Sequence, residues 1–189
     1  QILNFTEAYG GAGDDTLIAK SGVTLHGGSG NDVLVGSTGS STLDGGDGID
    51  TVDYANLPQS VYVDLKTGFA TGLTATYVNG RLTFTAVDNT VLGRDQLVSI
   101  ENVIGAYNAG INYLIGTDGD NHFIGGKNVN YMLGNDGNDR FDGSNGTLDY
   151  AMYSTATQGI VATLDASGNG TVVHGAYTDT LIGMEGIWG

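Results

Sequence analysis

The chain has 189 residues, of which 33 are glycine and one is proline, with 40% hydrophobic content and no cysteine. Six Lys and Arg against 21 Asp and Glu leave a net charge of −15, which makes nucleic acid and anionic membrane surfaces poor partners and cations natural ones. There is no disulfide framework, and no stretch is apolar and long enough to span a bilayer as a helix.

So much glycine would suit a disordered linker, but a strict period argues for an ordered solenoid. Three nonapeptides of the form Gly-Gly-x-Gly-x-Asp-x-apolar-x stand near the start: GGAGDDTLI from Gly10, GGSGNDVLV from Gly27 and GGDGIDTVD from Gly45. Their glycines permit the left-handed, tight-turn backbone that points carbonyl oxygens inward, and the aspartate adds a carboxylate; oxygen ligands of this kind suit calcium. Degenerate copies at 19–26 and 36–44 complete an inward apolar series of Leu17, Leu25, Leu34, Leu43 and Val52.

The pattern resembles the repeats-in-toxin (RTX) family of secreted bacterial proteins, over residues 10–53. The resemblance implies an all-β fold, a parallel β-roll with two nonapeptides per coil and calcium held between successive loops on one edge. It implies about two ions in the first roll, one between the loops of Asp15 and Asp32 and one between those of Asp32 and Asp50. Loop oxygens would assist at Gly10, Ala12 and Asp14, at Gly27, Ser29 and Asn31, and at Gly45, Asp47 and Ile49. The opposite edge, at 21–23 and 38–40, has no carboxylate of its own and is expected to stay empty.

Beyond this roll the alternation of Val61, Val63 and Leu65 marks a half-buried strand. YVNGRLTF from Tyr77 then places Asn79-Gly80 between two β-rich runs, a strong hairpin signal. This hairpin, about 73–92, has no counterpart later in the chain. GRDQLV from Gly93 reads as the back half of a nonapeptide returning to the roll. Asp95 lies seventeen residues before Asn112, so its loop is expected beneath Asn112 with Asp95 as a candidate ligand.

A second, degenerate roll over 106–146 contains GTDGDNHFI from Gly116, GGKNVNYML from Gly125 and GNDGNDRFD from Gly134, with the apolar series Leu114, Phe123, Met132 and Phe141. Its aspartate position reads Asn112, Asn121, Asn130 and Asp139. One edge keeps enough oxygen for an ion, from Asp118, Asp120 and Asn121 together with Asp136, Asn138 and Asp139. On the other edge Asn112 and Asn130 are expected to form a neutral amide ladder.

A larger duplication overlies the nonapeptides. TVDYA from Thr51 matches TLDYA from Thr147, VYVDL from Val61 matches IVATL from Ile160, and DQLVSIENVIG from Asp95 matches DTLIGMEGIWG from Asp179. The expected organisation is two units, 1–105 and 106–189, each a roll followed by a strand cap.

His26, His122 and His174 fall in unrelated positions without zinc spacing, and no acid–base pair stands outside the repeats, so the chain reads as non-catalytic. Tyr113 and Tyr131, on adjacent strands, are a candidate pair for stacking on a sugar ring, against the alternative of packing under the cap. The resemblance implies a calcium-binding module of a secreted or cell-surface bacterial protein, part of a larger parent chain. Adhesion to an acidic exopolysaccharide or cell-surface glycan is the favoured use. The alternative is a calcium-triggered folding and secretion segment of an RTX toxin, protease, lipase or polysaccharide-modifying enzyme.

Overall fold

The computed structural model describes residues 6–79, 81–87, 93–107, 110–143 and 146–189, and among these there is no helix. Strands β1 (Glu7–Ala12), β2 (Thr16–Ile18), β3 (Thr24–Ser29), β4 (Val33–Val35), β5 (Thr42–Asp47) and β6 (Thr51–Asp53) alternate between two parallel sheets. Glycine turns recur so often that no strand here exceeds six residues, and each coil lays its side chains on those of the next. Leu25 pairs with Leu43 and Leu34 with Val52, which stacks like on like between the sheets. All four are buried.

The chain then leaves this rhythm. β7 (Val61–Asp64), β8 (Phe69–Val78), β9 (Arg81–Val87) and β10 (Arg94–Val98) all join the first sheet. β8 is antiparallel to β7 and β10, and β10 returns parallel to β5. The expected hairpin is β8–β9, with Val78 opposite Arg81 and Asn79 at φ 52, a conformation asparagine tolerates better than most residues. Gly80 and residues 88–92 lie outside the described residues.

The roll resumes with β11 (Asn102–Ile104), β12 (Ile111–Ile115), β13 (His122–Ile124), β14 (Val129–Leu133), β15 (Arg140–Asp142) and β16 (Leu148–Met152). β11 pairs with β6 and β13, while β12 pairs with β7 and β14. Both sheets therefore run across the boundary drawn at 105/106, and one apolar core extends from Ala19 to Met184. The second cap, β17 (Ile160–Leu164), β18 (Gly170–His174) and β19 (Tyr177–Ile182), joins the second sheet before β20 (Gly186–Trp188) returns to the first. The duplicated units are thus related by a half-coil step.

This step corrects the alignment of the duplication. The turn in which Leu57 N–H donates to the Tyr54 carbonyl (2.9 Å) recurs where Ala156 N–H donates to the Tyr153 carbonyl (3.0 Å). Tyr54 therefore corresponds to Tyr153, and not to Tyr150 as TVDYA against TLDYA suggests. Tyr150 instead belongs to a rank of tyrosines in register across the first sheet, Tyr62, Tyr113, Tyr131 and Tyr150. Their successive ring centroids are 5.7, 6.2 and 5.4 Å apart. Phe84 of the inserted hairpin lies 4.7 Å from both Tyr113 and Tyr131, and Tyr131 is buried. The candidate sugar-stacking pair is therefore packed under the hairpin, because β8 runs past the sheet and carries β9 back over it.

Candidate metal centre

One edge of the roll carries a continuous ladder of polar side chains, one per coil. Asp15 N–H donates to Asp32 Oδ1 (2.8 Å), Asp32 N–H to Asp50 Oδ1 (2.7 Å), and Asp50 N–H to Glu101 Oε2 (2.8 Å). Beyond Glu101, Asn121 N–H donates to Asp139 Oδ1 (2.8 Å) and Asp139 N–H to Asp179 Oδ1 (2.8 Å). Asp32, Asp50, Glu101, Asp139 and Asp179 each use one carboxylate oxygen to hold the backbone of the previous rung. The second oxygen is the informative one.

Asp15, Asp32, Asp50 and Asp139 each have a buried Oδ2 with no hydrogen-bond partner. In the first three these atoms lie beside backbone carbonyl oxygens of the next coil. A Cβ added to Gly10 would fall 2.6 Å from both Asp15 Oδ2 and the Gly27 carbonyl. A Cβ on Gly27 would meet Asp32 Oδ2 and the Gly45 carbonyl, and one on Gly45 would meet Asp50 Oδ2 and the Ser99 carbonyl. Loop glycines such as Gly28 (φ 118) and Gly30 (φ 130) make this close stacking possible. A carboxylate oxygen buried near a carbonyl oxygen, with no donor of its own, calls for a positive group, and oxygen-rich surroundings favour a hard cation.

The asparagine rungs provide an internal comparison. Asn121 Nδ2 donates to the Glu101 carbonyl (2.8 Å), while its Oδ1 accepts Thr117 N–H (2.8 Å). Its amide nitrogen gives that carbonyl the positive partner that the aspartate rungs lack. The predicted ladder on the other edge is present: Asn112 Nδ2 donates to Asn130 Oδ1 (2.7 Å) and to the Ala106 carbonyl (3.0 Å). Asn130 Nδ2 likewise donates to the Gly126 carbonyl (3.0 Å). Asparagine closes a rung by itself, and aspartate does not.

Other expected ligands have different partners. Asp95 does not stack beneath Asn112, because β10 lies between β5 and β8. Its Oδ1 accepts Ser41 N–H (2.7 Å) and its Oδ2 accepts Tyr54 O–H (2.9 Å), so both oxygens are satisfied. The edge expected to lack a carboxylate thus receives one from a distant strand. The second unit repeats the clasp, with Tyr153 O–H donating to Asp179 Oδ2 (2.6 Å). His174 Nε2 lies 3.0 Å from that same oxygen, out of line for a hydrogen bond.

Asp118 is ion-paired with Lys66 (2.5 Å), which the turn after β7 carries to it. Asp14 and Asp120 accept the N–H groups of Asn31 (2.8 Å) and Asn138 (2.7 Å) on the exposed rim. The Asn31 side chain accepts Ile49 N–H (2.9 Å) in the same way. Asp136 lines an open cleft with Lys66 and Asp118. The second-roll oxygens are therefore scattered: Asp139 alone of that set is buried with an unpartnered oxygen.

Burial is the main cause of a raised pKa at Asp50 and Glu101, and it pushes Asp139 up to about 8 and Asp95 up to about 7. At Asp50 and Asp139 neighbouring carboxylates add to the effect.

Residues 8–23, 24–56 and 107–141 match the family described as RTX calcium-binding nonapeptide repeat. These are RTX repeats. No curated protein matches the chain. The RTX match covers the loops of Asp15, Asp32, Asp50 and Asp139, four rungs with an unpartnered carboxylate oxygen.

Two contributors have no RTX motif. Glu101 closes the first run of aspartates, and Ser99 places its carbonyl over Gly45 from a left-handed conformation, φ 50. Gly183, its counterpart in the duplication, has φ 59. Ser99→Gly is therefore expected to stabilise the calcium-loaded protein by up to ~1 kcal/mol in chemical denaturation, by relieving the strain of a non-glycine residue there.

Proposed function

We propose that this chain is a calcium-folded module of a secreted bacterial protein, disordered where calcium is scarce and ordered after export. The supporting observation is the row of buried, unpartnered carboxylate oxygens at Asp15, Asp32 and Asp50, each facing a carbonyl of the next coil. One calcium ion at each of these three positions would give every unpartnered oxygen a positive partner, one ion more than the motif spacing alone suggests. A fourth would sit at Asp139, between its loop and the 177–179 segment.

A net charge of −15 makes the metal-free chain self-repelling, so metal binding supplies part of the folding free energy. This favours the folding and secretion role. Attachment to an acidic polysaccharide has less support, because Phe84 covers the tyrosines best placed to stack on a sugar. The test is far-UV circular dichroism of metal-stripped protein at neutral pH. The expected result is lost β signal that calcium restores cooperatively; full β structure without metal would overturn the proposal.

A further inference from the structure

The loop between β15 and β16 has lost the nonapeptide pattern. GSNGTLD runs from Gly143 to Asp149, one residue longer than GGDGID from Gly45, and falls outside the RTX match. It nonetheless delivers an equivalent carboxylate. Counted back from the corresponding tyrosines Tyr54 and Tyr153, Asp50 and Asp149 occupy the same position. Each donates its N–H to a glutamate carried in after the cap, Asp50 to Glu101 Oε2 (2.8 Å) and Asp149 to Glu185 Oε2 (2.7 Å). Glu101 N–H and Glu185 N–H return the contact to the Asp50 and Asp149 carbonyls, at 3.1 and 3.0 Å.

Because the second unit is offset by half a coil, Asp149 stands on the edge of Asn112 and Asn130, opposite Asp15, Asp32 and Asp50. Asp149 is 0% exposed. Its Oδ1 accepts Asn130 Nδ2 (2.5 Å), and its Oδ2 is buried with no partner. At the corresponding place Asn112 and Asn130 each have an N–H donor directed at a loop carbonyl. Asp149 brings a carboxylate oxygen there instead, packed so closely on Gly143 that a Cβ would fall 2.6 Å from it. Among the described residues, no Lys, Arg or His forms an ion pair with Asp149 or Glu185. Two adjacent carboxylates, one wholly buried, thus end a ladder whose other rungs are neutral.

We propose that Asp149 and Glu185 hold a calcium ion on this opposite edge. The assignment rests on the duplicated geometry and does not depend on the sites of the first edge. It also explains why the ladder of amides ends in an acid: the last rung adjoins the edge strand β20 and is held by metal.

The test counts bound calcium by native mass spectrometry on the full chain, as wild type, Asp149→Asn, Glu185→Gln and Asp32→Asn. Asp149→Asn is expected to bind one ion fewer, and Glu185→Gln to bind that ion about tenfold more weakly. In metal-stripped buffer Asp149→Asn is expected to hold more β structure than wild type, because its new amide extends the ladder. A count that falls with Asp32→Asn and not with Asp149→Asn overturns this site and leaves the first edge standing; the reverse supports this site alone. If Asp149→Asn fails to fold, Glu185→Gln decides: an unchanged ion count and affinity overturns the assignment.

Discussion

Asp32→Ala is expected to raise the calcium concentration needed for folding by tenfold or more, read as the midpoint of a circular dichroism titration. Asp32 joins two coils at once. Its Oδ1 holds Asp15 N–H at 2.8 Å, its own N–H is held by Asp50, and its Oδ2 lies beside the Gly45 carbonyl. Alanine orphans a backbone donor at a cost of about 1–3 kcal/mol and removes a carboxylate ligand from the middle of the row. In a solenoid each coil is stabilised by its neighbours, so a break here uncouples β1 and β2 from the rest. Asp32→Asn should behave differently. Asn121 shows that an amide in this position closes the rung by donating to a carbonyl of the neighbouring coil. That variant is expected to lose calcium and keep β structure, which separates the metal role from the hydrogen bond. Asp44→Ala is the control, since Asp44 faces outward beside His26 at 3.3 Å and should change stability by no more than about 0.5 kcal/mol. A wild-type midpoint for Asp32→Ala would refute the first-edge sites.

The roll was legible because glycine position, carboxylate position and apolar position recur together, and each has its own physical reason. Leu34, Leu43, Phe123 and Phe141 are buried as the period requires. The asparagine ladder was legible for the same reason. What escaped the sequence were contacts between coils separated by an insertion. Asp95 holds Ser41, 54 residues away, and Glu101 holds Asp50, 51 residues away, distances that a nonapeptide count does not anticipate. The continuity of the sheets was hidden similarly, since β11 follows β6 in space only after the cap is taken out of the count. Matching TVDYA with TLDYA also concealed Asp149, by equating it with Asp53. Asp53 points away from the core and accepts Ala55 N–H at 2.7 Å, whereas Asp149 is buried. The Tyr-to-Asp clasps are the better guide, because a buried tyrosine hydroxyl needs an acceptor and fixes where the acid must lie.

Acid should partly replace calcium. Burial pushes Asp139 up to about 8, and Asp95 and Asp149 up to about 7, well above the ordinary aspartate range. A raised carboxylate pKa means that the folded chain holds protons the unfolded chain has released. Stability from these groups is fully present below about pH 4 and declines as pH rises through the window to about 8. Metal-stripped protein is therefore expected to gain β structure as pH is lowered from 8 to 5, still above the sequence pI of about 4.1 where precipitation would intrude. Calcium should flatten this dependence by supplying the charge that protons supply at Asp139 and Asp149. It should leave the Asp95 contribution, because Tyr54 and Ser41 already occupy both of its oxygens. A metal-stripped signal independent of pH between 5 and 8 would mean that the buried carboxylates are neutralised by something other than protons or calcium.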